Sequence, residues 1–180
     1  MRIAVATALL LGAGLLASCA SISPEQCQAG DWRGIGISDG EKGRSGGYIS
    51  RHQDACGKVG VVPDVAAWNA GREIGLQRYC TPQNAYRIGR EGTELSNQCA
   101  GPSLGELNAA NIKGRKYHAI NREISNLRTR SNDIDTRLFM MGPQREEDGK
   151  REQRELRRER SRIEARISDL EIERIGYSSL

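Results

Sequence analysis

The sequence predicts a mainly α fold: a small, glycine-rich, disulfide-stapled helical head followed by a long antiparallel helical hairpin of coiled-coil character. Three observations predict it. Ile120, Ile124, Leu127, Ile134, Leu138 and Met141 recur alternately four and three apart, with one polar interruption at Ser131, which is the spacing of a coiled-coil seam. Cysteine and tryptophan vanish after about Leu104, where Arg, Glu and Ile take over. Alternating apolar and polar runs are too few to build a sheet. The predicted order is a leader at 1–18, a tether at 19–26, the head at 27–113 and the hairpin at 114–180.

The leader comes first. Arg2 supplies a short positive region, and Ile3 to Ala17 are apolar or small apart from Thr7. A membrane-spanning helix needs ~20 apolar residues, so this stretch fits an export signal better. No second apolar run follows, so the mature chain is not expected to span a membrane. Leu16-Ala17-Ser18-Cys19 resembles the lipobox of bacterial lipoprotein signals. That resemblance implies cleavage before Cys19, a thioether-linked diacylglycerol on its sulfur and an acylated amine. Two or more acyl chains anchor stably. Ala20, where Asp would retain the protein at the inner membrane of a Gram-negative cell, implies the periplasmic face of the outer membrane.

The head must fold around little apolar volume. Aromatics are 4% of the chain and apolar residues 37%, against 21 glycines. A small module of this composition needs staples. After Cys19 is assigned to lipid, Cys27, Cys56, Cys80 and Cys99 remain. In an oxidising envelope four cysteines read as two disulfides. Three pairings are possible, and loop size favours Cys27–Cys56 with Cys80–Cys99. A zinc site is disfavoured, because no two of them form a C-x2-C pair, and no metal or cofactor is expected. The formal charge is +4, with Arg2 contributing one unit. That is too balanced to argue for nucleic acid.

Within the head, Pro63-Asp64 reads as a helix start, and Val65, Trp68, Arg72, Leu76 and Tyr79 follow helical spacing until Thr81-Pro82. Gly71 and Gly75 each weaken that helix by ~1 kcal/mol, which implies close packing against something. A second helix is expected from about Ser45 to Ala55, a short extended segment at Val59–Val62, and a turn at Asp39-Gly40. A loose echo runs through the region. Trp32 precedes Gly34, Gly36 and Gly40; Trp68 precedes Gly71 and Gly75; Tyr86 precedes Gly89 and Gly92; Asn111 leads to Gly114 and Tyr117. Glycines three or four apart share one helix face and permit close backbone approach.

These residues carry a family resemblance. Cys27-x3-Asp31-Trp32-x3-Gly36-x2-Asp39-Gly40-x2-Gly43 is followed by Cys56, Gly71-Arg72-x2-Gly75-Leu76-x2-Tyr79-Cys80-x-Pro82, Tyr86-x2-Gly89-x2-Gly92 and Cys99. The series resembles domain-of-unknown-function family 2799, small bacterial envelope proteins that are typically lipoproteins with a helical tail. The resemblance covers roughly residues 27 to 140, with Gly-Leu-x2-Tyr-Cys-x-Pro its most specific part. Trp68 stands where Tyr is expected, and Leu95 where an aromatic is usual. The family implies no activity.

Gly142-Pro143 breaks the first tail helix. Leu156, Ile163, Ile167 and Leu170 mark a second, whose remaining seam positions hold Gln153, Arg160 and Arg174. Glu146–Lys150 and Glu147–Arg151 are spaced as favourable i,i+4 pairs. An arginine on a seam packs poorly as a knob, so the hairpin is expected to pair through residues 114–175 with another copy or another envelope protein.

No catalytic constellation stands out. His52 and His118 are the only histidines and lie far apart in sequence. Asp31, Asp39 and Glu41 lack the dense alternation that calcium needs. The glycines near residue 36 lack a Walker lysine and a preceding strand. The leading expectation is a non-enzymatic lipoprotein with a structural or protein-interaction role. The alternative is a periplasmic module for a cell-wall or small-molecule ligand, using Trp32, Trp68, Arg72, Tyr79 and Tyr86 as a stacking surface. A hydrolase is the least favoured class.

Overall fold

The computed structural model describes residues 21–180 and is mainly helical, with no strand among them. The leader, Cys19 and Ala20 lie outside the described residues. Helix α1 (Pro24–Ala29) begins with a capping box between Ser23 and Gln26 and stops at Gly30, whose φ is +67°. Asp31 caps α2 (Trp32–Glu41) by accepting from the Gly34 amide. A 3₁₀ turn at Gly46–Tyr48 leads into α3 (Ile49–Gly57). Asp64 caps α4 (Val65–Tyr79), and Thr81 caps α5 (Pro82–Arg90). The long helices α6 (Leu104–Met141) and α7 (Glu147–Ile175) complete the chain.

The echo of glycines resolves into two helix pairs, α2 on α4 and α5 on α6. In the first pair a Cβ on Gly36 would overlap the Trp68 carbonyl, and one on Gly71 would overlap the Arg33 carbonyl. A Cβ on Gly40 would lie 2.8 Å from Gly75 Cα, and one on Gly75 would lie 2.8 Å from Gly40 Cα. In the second pair Gly89 meets the Asn111 carbonyl, and Gly114 meets the Tyr86 carbonyl. Main chain touches main chain at these points, and no side chain fits between.

This corrects the reading of Asp39-Gly40 as a turn. Both residues are inside α2, and Trp32, Gly36, Asp39 and Gly40 form its buried face. Glycine lowers helix propensity, but the contact with α4 overrides it. Val59–Val62, expected to be extended, is loop. The disulfides are Cys27–Cys56, joining α1 to α3, and Cys80–Cys99, joining the end of α4 to the loop before α6. Each lies in its own apolar cluster. Ile22, Cys27, Trp32, Cys56 and Trp68 form one, and Leu76, Tyr79, Tyr86, Ile88, Cys99 and Leu107 belong to the other.

Helix α6 passes through residue 114 without a break. Leu107, Ala110, Asn111 and Gly114 pack into the head. From Ile120 onward the same helix packs on α7. Ile120 and Ile124 meet Leu170, and Ile134 meets Leu156 and Ile163. The polar seam residues of α7 find partners within the pair: Gln153 donates to the Gly142 carbonyl, Arg160 pairs with Asp135 at 2.8 Å, and Arg174 donates to Asn121 at 3.0 Å. Each polar seam side chain thus has a neighbour on the facing segment, but the buried Nε of Arg160 has no well-formed hydrogen bond. At the start of α7 the local ion pairs are Glu147–Lys150 and Asp148–Arg151, i,i+3 and not the expected Glu146–Lys150 and Glu147–Arg151, while Arg160–Glu164 further along is an i,i+4 pair.

The glycine contacts generate a stability test. Gly75→Ala is expected to destabilise the oxidised protein by about 1–3 kcal/mol, as overpacking does, although Ala favours a helix interior by ~1 kcal/mol. Gly105→Ala, with open space around the added methyl, is expected to be neutral or slightly stabilising. Urea melts that move equally for both would contradict a backbone-contact role.

Candidate functional site

The site grows from the N-cap Asp31. By starting α2 there, the chain places Asp39 on the same face as Trp32 and Gly36, turned toward α4. Trp68, one turn into α4, donates its indole N–H to Asp39 Oδ2 at 2.9 Å. His52 Nε2 lies 2.7 Å from the same oxygen, from α3. On the other side of the ring, His52 Nδ1 lies 2.9 Å from the hydroxyl of Ser21, just before α1. Asp39, His52 and Trp68 are all buried. If Nε2–H of a neutral ring donates to the carboxylate, Nδ1 accepts the serine proton. Tyr48 stands edge-on to His52, with ring centroids 5.3 Å apart, and carries Arg44 over its ring at 4.6 Å.

Burial alone would push the Asp39 carboxyl up. The hydrogen bonds from His52 and Trp68, with the nearby positive charge of Lys42, outweigh it and hold the carboxyl below its ordinary value. This network escaped sequence reading because its members come from four separate segments. The one available signal was helical: read as a helix, residues 32–40 put Asp39 on the apolar face, where a carboxylate must have partners.

The five residues expected to form a ligand surface, Trp32, Trp68, Arg72, Tyr79 and Tyr86, are buried. They are core residues and make no exposed platform, because the glycine contacts draw their helices together around them. Besides Trp68, three of them have their polar ends engaged. Arg72 donates to the Arg44 carbonyl and to Gln98, each at 2.7 Å. The Tyr79 hydroxyl accepts from the Ser96 amide at 3.0 Å, and the Tyr86 hydroxyl donates to the Tyr177 carbonyl at 2.6 Å. His118 is separate from His52 and rests its Nδ1 on the Arg90 carbonyl at 3.0 Å.

Two surface depressions accompany these groups. One, of about 420 Å³, runs beside Ser21, Ile22, Pro24, Ala55, Lys58 and Val59. The other, of about 500 Å³, lies between Gly92–Glu94 and the Arg115, His118 and Arg122 face of α6. Among the described residues no cluster of three or more His, Cys, Asp and Glu is arranged to hold a metal ion, and no helix is long and apolar enough to cross a membrane.

A pH dependence follows from the depressed Asp39 carboxyl. An unfolded Asp titrates near ~3.9, so the stability this group adds is complete above that pH and is lost as pH falls through the lower folded value. Asp39→Asn is expected to cost about 1.5–3 kcal/mol at neutral pH, the range for a hydrogen bond to a charged group. It is also expected to flatten the acid limb of the melting curve. An unchanged acid limb in the variant would show that the carboxylate contributes nothing to it.

Residues 31–116 match the family described as a protein of unknown function, DUF2799, a narrower span than the 27 to 140 of the resemblance. No curated protein and no solved structure matches the chain. The matched span holds both glycine-contact pairs, Asp39, His52, Trp68 and the Cys80–Cys99 bridge, and it ends just past Gly114, where α6 leaves the head. This chain is a member of the DUF2799 family, and the family's portion of it is the stapled, glycine-packed head.

Proposed function

We propose that the protein is a non-enzymatic envelope lipoprotein, anchored through acylated Cys19 to the periplasmic face of the outer membrane, whose α6–α7 pair serves as an interaction arm. In this reading the arm is an antiparallel, coiled-coil-like hairpin and its target is a protein partner or a second copy. The observation that carries it is the form of α6. Its 38 residues extend over about 57 Å at 1.5 Å per residue, and only its first turns pack into the head. Phe139 and Met140 at its far end are 85% and 79% exposed. Phe139 and Met140 are the most exposed large apolar side chains of the pair, and we take this end as the part of the arm offered to a partner.

A photocrosslinking residue replacing Phe139 in the full-length protein is expected to give a discrete adduct in living cells, lost when Met140 is also changed to Ser. Absence of any adduct at this position would remove the arm's proposed role. Labelled palmitate is expected to enter the wild type and not Cys19→Ser.

One observation favours a second reading, hydrolysis. Ser21, His52 and Asp39 stand in the order nucleophile, base and orienter, with Ser21 lining the 420 Å³ depression and the other two buried behind it. Fluorophosphonate labelling that disappears in Ser21→Ala would establish it, and an unlabelled wild type would leave the network as a structural link between the N-terminal segment and the head.

A further inference from the structure

The chain enters the head at one fixed point. Ile22 is buried among Cys27, Trp32, Cys56 and Trp68, and the Ser21 hydroxyl is bonded to buried His52. Ser21 is two residues from Cys19, and two residues span at most ~7 Å. A lipid on Cys19 would therefore be attached close to folded structure and not at the end of a long leash.

The surface at that entry point suits a bilayer. Ser21, Ile22 and Pro24 form one wall of the 420 Å³ groove, and Ala55, Lys58 and Val59 form the other. Beyond Val59 the loop continues Gly60-Val61-Val62-Pro63, with Val59 39% and Val62 86% exposed. Lys58 is the only charged residue from Gly57 to Pro63, and the next acid, Asp64, is engaged as the cap of α4. Exposed aliphatic side chains beside a lysine match an interface of acyl chains and anionic headgroups, where lysine keeps its stem in the apolar layer and its ammonium among phosphates; the exposed carboxylates nearest in sequence to the groove are Glu25 and Asp54.

We infer that this face, the groove beside Ser21 together with the Lys58–Pro63 loop, rests on the lipid surface and holds the head in one orientation against the membrane. The inference rests on the lipid-anchor reading above and adds which side of the head the bilayer covers.

The test uses the full mature protein, isolated from membranes and reconstituted in phosphatidylethanolamine–phosphatidylglycerol vesicles. An environment-sensitive fluorophore is placed at Val62→Cys and, for comparison, at Met140→Cys. Both positions are largely exposed, so neither label disturbs the core. The label at 62 is expected to shift to the blue and to be quenched several-fold more by a lipid-borne quencher than the label at 140. Val59→Asp, measured with the label at 62, is expected to reduce that quenching. The mass of the N-terminal peptide is read from the same samples. An acylated, vesicle-bound protein whose label at 62 stays as open to aqueous iodide as that at 140 would overturn this inference and leave the anchor standing. An unmodified Cys19 with no vesicle binding would overturn both.

Discussion

Two pairs of helices in this protein approach until their main chains touch, and the rest of the head is arranged around that contact. Side chains normally hold packed helices 8–10 Å apart. Where Gly36, Gly40, Gly71 and Gly75 face one another there is nothing to interpose, and carbonyl oxygens lie where a Cβ would be. Dispersion and weak Cα–H···O contacts then act over the whole crossing. The same glycines make poor helices in isolation. The head compensates at its ends: Asp31, Asp64 and Thr81 each cap a helix with a side-chain oxygen, and two disulfides close the segments around the crossings. A chain with few aromatic residues can build a core this way because backbone supplies part of the packing.

The buried polar groups follow from that closeness. Once α2 lies on α4, the Asp39 carboxylate cannot reach water and must be satisfied from within. Trp68 and His52 do so, and His52 in turn binds Ser21. A carboxylate left unpaired there would be strongly destabilising, so the network specifies a single placement of α3 and of the chain entering α1. Through it the N-terminal segment becomes part of the head's structure. The same relay connects the proposed site of lipid attachment to the glycine crossing.

The arm obeys different physics. Its apolar seam of Ile120, Ile124, Ile134, Leu156, Ile163 and Leu170 excludes water in the ordinary way. The ion pairs that line it, such as Arg128–Glu171 and Arg137–Glu152, are mostly solvent-exposed and contribute little each. They suit register and solubility more than strength. The arm joins the head through the continuity of α6 and through the Tyr86 hydroxyl on the Tyr177 carbonyl.

Local physics was legible in the sequence alone. The α4 helix was readable from Asp64 and its periodic apolar residues, the break at Gly142-Pro143 from proline and glycine chemistry, the apolar positions of α6 from their 3.5-residue spacing, and the cysteine staples from their even number. The recurring glycines announced close packing without naming a partner. What packed on what was decided only in three dimensions. Asp39-Gly40 resembles a turn in isolation, and only contact with α4 makes it helix. His52 has no chemistry until Asp39, Trp68 and Ser21 converge on it, and the aromatic residues read as a surface prove to be the interior. The physical reason is range. Caps, breaks and periodicity act within a few residues, whereas burial and hydrogen-bond partners depend on segments brought together from distant parts of the chain.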